Sequence, residues 1–294
     1  MIFVNFKNLY TFVNVVEHRG FTEVSQVMGL TQSGVSRQIK ALEEEVGLQL
    51  LSRTSSSVKT TASGELFYHR AKQLLADWDL LLADCQTFKN EWSGQLKIGA
   101  STIPVNYMLP KMVKHVREKY PKIEFSIHSE DSENVLAMLL KRHIDMAFVG
   151  YKIEHEELHE QCVATDKLVL IGCDDLKPLK SLHEIRKAPV IIREKGSGTR
   201  KAVEEMLKTS GILFETLTVA AEVNSMEAIF ALVEAGVGYA FVSHWSVQET
   251  YRPNINVLLE LPTDRCFYLY VHKSRQAHPL IKMFSEEAVC RYQV

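Results

Sequence analysis

The segment that most restricts what this chain can become is residues 22–53, TEVSQVMGLTQSGVSRQIKALEEEVGLQLLSR. It reads as a short helix, a glycine turn and a second helix. Gly29 is placed to end the first helix, because glycine enters the left-handed region at little cost. Thr31 follows as the N-cap of the second helix. Within that helix Val35, Ile39 and Leu42 fall on one side by i, i+4, i+7 spacing and are expected to pack inward. The opposite side is left with Gln32, Ser33, Ser36, Arg37 and Lys40. An amide, hydroxyls and cations near a helix N-terminus are the groups that read base edges in a major groove and hold phosphates. A solvated amphipathic helix is the plain alternative, and the turn, the cap and the basic segment that follows weigh against it.

That basic segment, residues 50–62 (LLSRTSSSVKTTA), reads as a wing: two short β-prone pieces flank Ser55–Ser57, with Arg53 and Lys59 at the shoulders. A wing of this composition lies along the sugar-phosphate backbone or edges into the minor groove. Taken alone it is equally a polar loop. The whole chain has a net charge of −2, so no overall basic field draws it onto nucleic acid. Affinity must come from a local patch and from dimerisation. Residues 31–61 carry four cations (Arg37, Lys40, Arg53, Lys59) against three acids (Glu43, Glu44, Glu45), which predicts salt-sensitive but discriminating binding.

From Leu9 to Gly64 the chain resembles the winged helix-turn-helix of LysR-type transcriptional regulators. The matching pieces are Phe12 and Val16, Gly20-Phe21-Thr22, Thr31-Gln32-Ser33, Val35-Ser36-Arg37-Gln38-Ile39, Leu42-Glu43, Gly47, Arg53 and Thr61-x-x-Gly64. Three departures fall at packing positions: Val24-Ser25 where the family usually has two alanines, Leu51 for a phenylalanine and Thr60 for a leucine. The resemblance continues more weakly along the rest of the chain. It implies a double-stranded DNA operator as partner, a linker helix that pairs two subunits, assembly as a homotetramer, and a two-lobed effector domain like the periplasmic binding proteins.

The residues beyond the wing are read independently. Ser63 is placed to cap a long helix running to about Glu91. In it Phe67, Ala71, Leu74, Trp78, Leu81, Cys85 and Phe88 recur in alternating steps of four and three, a coiled-coil seam. A helix of roughly 28 residues is about 42 Å long, and a small neighbouring domain cannot bury such a stripe. This predicts a dimer contact. Trp92-Ser93-Gly94 breaks the helix, and strands alternating with helices follow, which predicts parallel sheets with right-handed crossovers. The expected fold is therefore an all-α winged helix-turn-helix domain (1–62), a linker or dimerisation helix (63–92), and a two-lobed α/β effector domain (93–294). Lobe one is expected at 93–162 and 266–294, and lobe two at 163–265.

In open α/β sheets the ligand lies beyond the carboxyl ends of strands, near helix N-termini. Gly99–Pro104 leaves the first strand in this manner, and Lys195–Arg200 does so in lobe two. Both offer hydroxyls and unpaired backbone N–H groups, which favour an anion. The candidate effector contacts are Ser101, Thr102, Gly150, Ser197, Gly198, Thr199, Arg200 and Asn224, with Arg200 supplying a forked contact to an oxyanion. Each loop alone is as well explained by capping and turn chemistry. By resemblance, ASTIP and Arg193–Arg200 (REKGSGTR) look like the LysR branch tied to sulfur, selenium or cysteine metabolism, whose effectors tend to be sulfur oxyanions or serine-derived carboxylates. An unrelated effector such as an aromatic carboxylate is the alternative.

An enzyme is the rival from another class. His155-Glu156-x-x-His159 satisfies the H-E-x-x-H zinc pattern literally, so a metal-dependent hydrolase is the alternative to a regulator. No third ligand is identifiable beside it, His143 included, and the segment reads as a charged helix or loop. No nucleophile elbow is present, and KGSGTR lacks a P-loop ending. No catalytic residue, metal or cofactor is expected. Cys85, Cys162, Cys173, Cys266 and Cys290 are scattered and odd in number, which reads as reduced thiols and not a disulfide frame, with a redox-sensing thiol as the weaker alternative. The N-terminus has no signal-peptide pattern and no apolar run reaches membrane length, so a cytoplasmic protein with no membrane contact is expected.

Overall fold

The computed structural model describes residues 5–54, 57–87, 92–248, 252–263 and 265–292, which fall into two compact units divided at Ala83/Asp84. The first holds α1 (Phe6–His18), α2 (Phe21–Val27), α3 (Gln32–Val46), β1 (Leu51–Thr54), β2 (Ser57–Thr60) and most of α4 (Ala62–Thr87). Gly29 closes α2 with φ +63°, and the Thr31 hydroxyl accepts the Gly34 N–H at 3.1 Å to cap α3. Val35, Ile39 and Leu42 are buried against Leu9, Phe12 and Val24. Val24 and Leu51, two of the departures from the family pattern, both lie in this core.

The corner from α3 into the wing is held by one acid. Glu43 Oε1 accepts the backbone N–H of Leu50 at 2.8 Å and of Leu51 at 3.0 Å. One of the three acids counted against the local cations is therefore engaged inside the domain. The wing is an antiparallel pair, with Leu51 opposite Thr60 and Ser52 opposite Lys59, so the domain is helical with a small sheet and not purely α. Ser55, Ser56 and the Arg53 side chain lie outside the described residues.

The cap of α4 differs from expectation. Thr61, not Ser63, receives the Gly64 N–H at 2.9 Å, while the Ser63 hydroxyl donates to the Gln49 carbonyl. The helix starts hard against the preceding turn, so that a Cβ on Gly64 would lie 1.9 Å from the Leu50 carbonyl oxygen. The apolar seam divides in two. Phe67 and Ala71 join the core of this first unit, while Leu74, Trp78 and Leu81 stand 45%, 42% and 52% exposed. Phe88 lies outside the described residues.

The second unit begins with β3 (Gly94–Ala100), a π turn at Pro104–Met108 and α5 (Leu109–Lys119). β4 (Ile123–Ser129), α6 (Ser132–Leu140), β5 (Met146–Val149) and β6 (Leu158–Asp166) follow. The chain then builds β7 (Leu168–Cys173), β8 (Pro189–Arg193), α7 (Gly198–Thr209), β9 (Thr218–Val223) and α8 (Met226–Glu234). It continues through β10 (Tyr239–Ser243), α9 (His244–Gln248) and β11 (Ile255–Glu260), then returns as β12 (Arg265–His272) and ends in α10 (Pro279–Tyr292). Two five-stranded sheets result, ordered β4-β3-β5-β12-β6 in lobe one and β11-β7-β10-β8-β9 in lobe two. β5, β7 and β10 are buried along their whole length, as their unbroken apolar runs require.

The sheets are mixed and not purely parallel. β3 pairs parallel with β4 and β5, and β8 with β9 and β10, while β7, β11 and β12 run antiparallel to their neighbours. β6 and β11, not anticipated from sequence, are edge strands. β6 (LHEQCVATD) is too polar to read as a core strand, and in β11 (INVLLE) a polar Asn256 near the start and a register shift between Val257 and Leu259 blur the alternation. β6 also overturns the reading of the cysteines as scattered thiols. Paired with β12, it brings Cys162 beside Cys266, 104 residues later, with a Cα–Cα distance of 5.8 Å and a disulfide between them.

Because the Gly64 position is bounded by backbone and not by a flexible side chain, Gly64→Ala is expected to cost at least about 2 kcal/mol. Urea unfolding of the full chain followed by a probe in the first unit checks this. An unchanged midpoint would show that α4 can shift away from Leu50 freely.

Candidate functional site

Between the two lobes lies a small polar cleft of about 10 Å³. Lobe one contributes Ser101, Thr102, Asp131, Ser132 and Gly150; lobe two contributes Arg193, Ser197, Gly198 and Thr199; Arg265 and Phe267 come from the returning β12. Two helices point their N-termini here. Asp131 caps α6 by accepting the Asn134 N–H at 2.8 Å, and Ser197 caps α7 by accepting the Arg200 N–H at 3.4 Å. The lobes meet with little room: a Cβ on Gly198 would lie 3.2 Å from the Gly150 Cα and 3.1 Å from the Ser132 Oγ. Glycine at 198 lets its backbone lie this close to the Gly150 backbone, whereas a Cβ at 150 would come nearest the Phe267 ring, at 3.4 Å.

Two guanidinium groups are buried in this cleft. Arg193, 5% exposed, pairs with Glu194 at 2.7 Å and reaches across the lobes to the Thr102 hydroxyl at 3.2 Å. Arg265, 8% exposed, pairs with the buried Asp166 at 2.6 Å and donates to the Thr199 hydroxyl at 3.3 Å. Burial pulls Arg265 below its ordinary pKa; Asp166 opposes this and the neighbouring Arg193 cation adds to it. Ser132 is fully buried, and among the described residues its Oγ has no hydrogen-bond partner. A buried hydroxyl left unpaired beside two cations and two helix N-termini suits an incoming acceptor group.

The sequence-derived candidates divide. Ser101, Thr102, Gly150, Ser197, Gly198 and Thr199 line the cleft. Arg200 does not: its guanidinium lies with Glu204 at 2.8 Å, Glu222 at 2.9 Å and the Arg193 carbonyl at 2.9 Å, over the Phe214 ring. One step along a helix turns a side chain by about 100°, which carries residue 200 away from the face that presents Thr199. Asn224 is exposed on the bend before α8 and is not part of the cleft lining. Arg193, Arg265, Asp131 and Ser132 also line the cleft and were not among those candidates. Tyr151 and Lys201 add an outer latch, with the ammonium 3.9 Å from the ring centroid and 3.1 Å from Glu133 of α6.

In the first unit, Gln32, Ser33, Arg37 and Lys40 are exposed along one side of α3, with Ser36 half-buried among them. The Arg37 Nε leans back to the Ser33 carbonyl at 3.5 Å, and Lys40 pairs loosely with Glu44 at 3.6 Å, contacts that solvent makes weak. Lys59 is exposed on β2. The zinc-like motif does not form a helical face. His155 lies in the loop before β6, where it accepts the Glu157 N–H at 3.2 Å, and His159 lies on the strand. The two histidines thus sit on different elements, a loop and a strand, and the single helix turn that the zinc pattern requires is absent. No cluster of three metal-ligating side chains occurs among the described residues, and no helix among them is long and apolar enough to cross a membrane.

Residues 6–65 match the family of bacterial regulatory helix-turn-helix proteins of the lysR type, and residues 89–292 match the LysR substrate binding domain. An HTH-type transcriptional regulator of Methanocaldococcus jannaschii is 30% identical over 271 residues, covering 90% of this chain and 91% of that protein. The HTH-type transcriptional regulator CysL of Bacillus subtilis is 27% identical over 240 residues, covering 80% of this chain and 79% of its own. A full-length OxyR variant from Pseudomonas aeruginosa shares the fold, with a TM-score of 0.76 at 18% identity over 99% of this chain and 98% of that one. These matches are to regulators and not to enzymes, and two family matches together span nearly the whole sequence. The chain belongs to the LysR family of DNA-binding transcriptional regulators, with an N-terminal helix-turn-helix domain and a C-terminal effector-binding domain.

Proposed function

We propose that the effector of this regulator is a small anion, a sulfur oxyanion or a short serine-derived carboxylate, held between the lobes by Arg193, Arg265 and the hydroxyls of Ser101, Thr102, Ser132 and Thr199. The observation that carries this reading is the buried, unpartnered Ser132 Oγ in a cleft lined by two buried guanidiniums. The cleft has room for at most one water as it stands, so a ligand enters only when the lobes part. The resemblance of ASTIP and REKGSGTR to the sulfur, selenium and cysteine branch supports the sulfur class. A second reading within the proposal rests on Asp131, whose carboxylate at the cleft favours a ligand that also carries an ammonium, as O-acetylserine does and sulfite does not.

In the proposed action, two or four copies of the chain assemble in a cytoplasmic setting, and two pair through the exposed Leu74, Trp78 and Leu81 of α4. The pair presents two α3 helices to an interrupted, roughly palindromic operator, with Gln32, Ser33, Ser36 and Arg37 toward base edges and Lys40, Arg53 and Lys59 toward phosphates. Ligand binding changes the angle between lobes and biases the spacing of the heads.

Calorimetric titration of the full chain with sulfate, sulfite, thiosulfate and O-acetylserine tests the effector reading. Ser132→Ala is expected to weaken binding roughly tenfold while leaving thermal stability equal or higher, because it removes an unpaired buried hydroxyl. Arg200→Ala is expected to leave the affinity within about threefold, since Glu204 and Glu222 hold that side chain elsewhere. No saturable binding by any of the four ligands would remove the sulfur reading. For the head, Arg37→Ala is expected to weaken binding to DNA fragments selected from a genomic library by about tenfold or more, and to random DNA far less. Equal loss on both would reduce Arg37 to a phosphate contact.

A further inference from the structure

The chain crosses between the lobes of the second unit on two strands that lie side by side. β6 leaves lobe one and β7 of lobe two begins two residues after its end; β12 brings the chain back from β11 of lobe two. They pair antiparallel from Arg265 opposite Asp166 to His272 opposite Leu158, with the register broken between Phe267 and Tyr268. At that break sit Cys162 and Cys266. We propose that Cys162–Cys266 is a reversible redox clasp, a modification site whose reactants are low-molecular-weight disulfides and thiols, and whose state sets how firmly the crossover strands hold Arg265 in the cleft.

Four observations carry this. Both cysteines are half-buried and not sealed in a core, so a small thiol can reach them, whereas Cys173 is buried within lobe two. The Ala164 carbonyl lies 3.8 Å from the Cys162 sulfur, so the same geometry offers an acceptor to the reduced thiol. The clasp adjoins the cleft in sequence and in space: Arg265 directly precedes Cys266, and its guanidinium ties Asp166 of β6 to Thr199 of α7. Finally, a DNA-binding regulator acts beside DNA, where cellular thiols keep most cysteines reduced and a disulfide that does form is usually a signal.

The chemistry balances without a metal or other cofactor. One thiolate attacks a small disulfide, breaking its S–S bond and expelling one small thiol. The second protein thiol, losing its proton, attacks the mixed disulfide at the protein sulfur and expels the other. Two electrons and two protons pass from the cysteine pair to the reagent, and one protein S–S bond replaces one small-molecule S–S bond. A thiol reductant reverses each step.

The test uses the full chain equilibrated in glutathione and glutathione disulfide mixtures, then alkylated and mapped by mass spectrometry, with no effector added. Its failure is therefore separable from failure of the anion reading. The expected result is a Cys162–Cys266 linked peptide that grows with oxidation and vanishes on reduction, while Cys85, Cys173 and Cys290 remain alkylated throughout. The oxidised form is expected to melt roughly 5–10 °C higher, since the cross-link closes a long loop. Amide exchange in Arg265–His272 and in the turn at 197–200 is expected to be at least about tenfold slower than in the reduced form. C162A and C266S, each alone, should remove the redox dependence of melting and exchange. A linked peptide that never forms, one that resists reduction, or equal exchange in the two states of the native protein would each overturn the proposal.

Discussion

The second unit turns on one buried ion pair. Asp166 closes β6 and Arg265 opens β12, and their contact at 2.6 Å is made at the point where both strands change lobes. Removing two charges from water is costly, and burial of this kind is tolerated only when the partners are well placed and further bonded. Here the further bonds are to the cleft: the Arg265 Nε also donates to Asp166, and its Nη1 donates to Thr199 at the start of α7. The pair therefore sits at the first register position of β6 with β12, where the strands change lobes, and presents a cation to the space between lobes. The guanidinium also lies over the Phe267 ring, which supports it without satisfying its remaining N–H capacity. Arg193, bonded to Glu194 and Thr102, spans the same gap from the opposite lobe.

The head depends on a simpler constraint. Its core is built where periodic apolar positions from α1, α2 and α3 meet, and the polar side of α3 is what remains outside. The Glu43 carboxylate and the Thr61 hydroxyl fix the two corners that flank the wing, each by accepting backbone N–H groups. Of the apolar seam on α4, this core takes up Phe67 and Ala71 and leaves Leu74, Trp78 and Leu81 exposed.

What could be read in the sequence follows the range of the forces. Val35, Ile39 and Leu42 were legible because helical periodicity is local, and Gly29 and Thr31 because turn and cap chemistry involves neighbours only. Ser101, Thr102 and Ser197–Thr199 were legible as hydroxyls and glycine at helix starts after strands. Which of several consecutive residues faces the cleft was not, since that depends on how the helix is rotated against the other lobe; Arg200 lies outside the cleft lining on that account, and Asn224, on the bend before α8, lies outside it too. Arg193 and Arg265 sit at strand ends where an arginine ordinarily reads as solvated, and only the partners Glu194 and Asp166 reveal them as buried. Asp166 with Arg265 and Cys162 with Cys266 are separated by about a hundred residues, so neither pair existed for a local reading. Both became visible once the polar edge strand β6 was placed beside β12.

The most direct test of the account is a crystal structure of the full chain grown with selenate, whose anomalous scattering locates the anion without reference to expectation. The account predicts a peak between the lobes within about 2.7–3.2 Å of the Ser132 Oγ and of the Arg193 and Arg265 guanidiniums, with Arg200 still on Glu204 and Glu222. A peak on Arg200 instead, or a cleft without one while selenate occupies other sites, would contradict it.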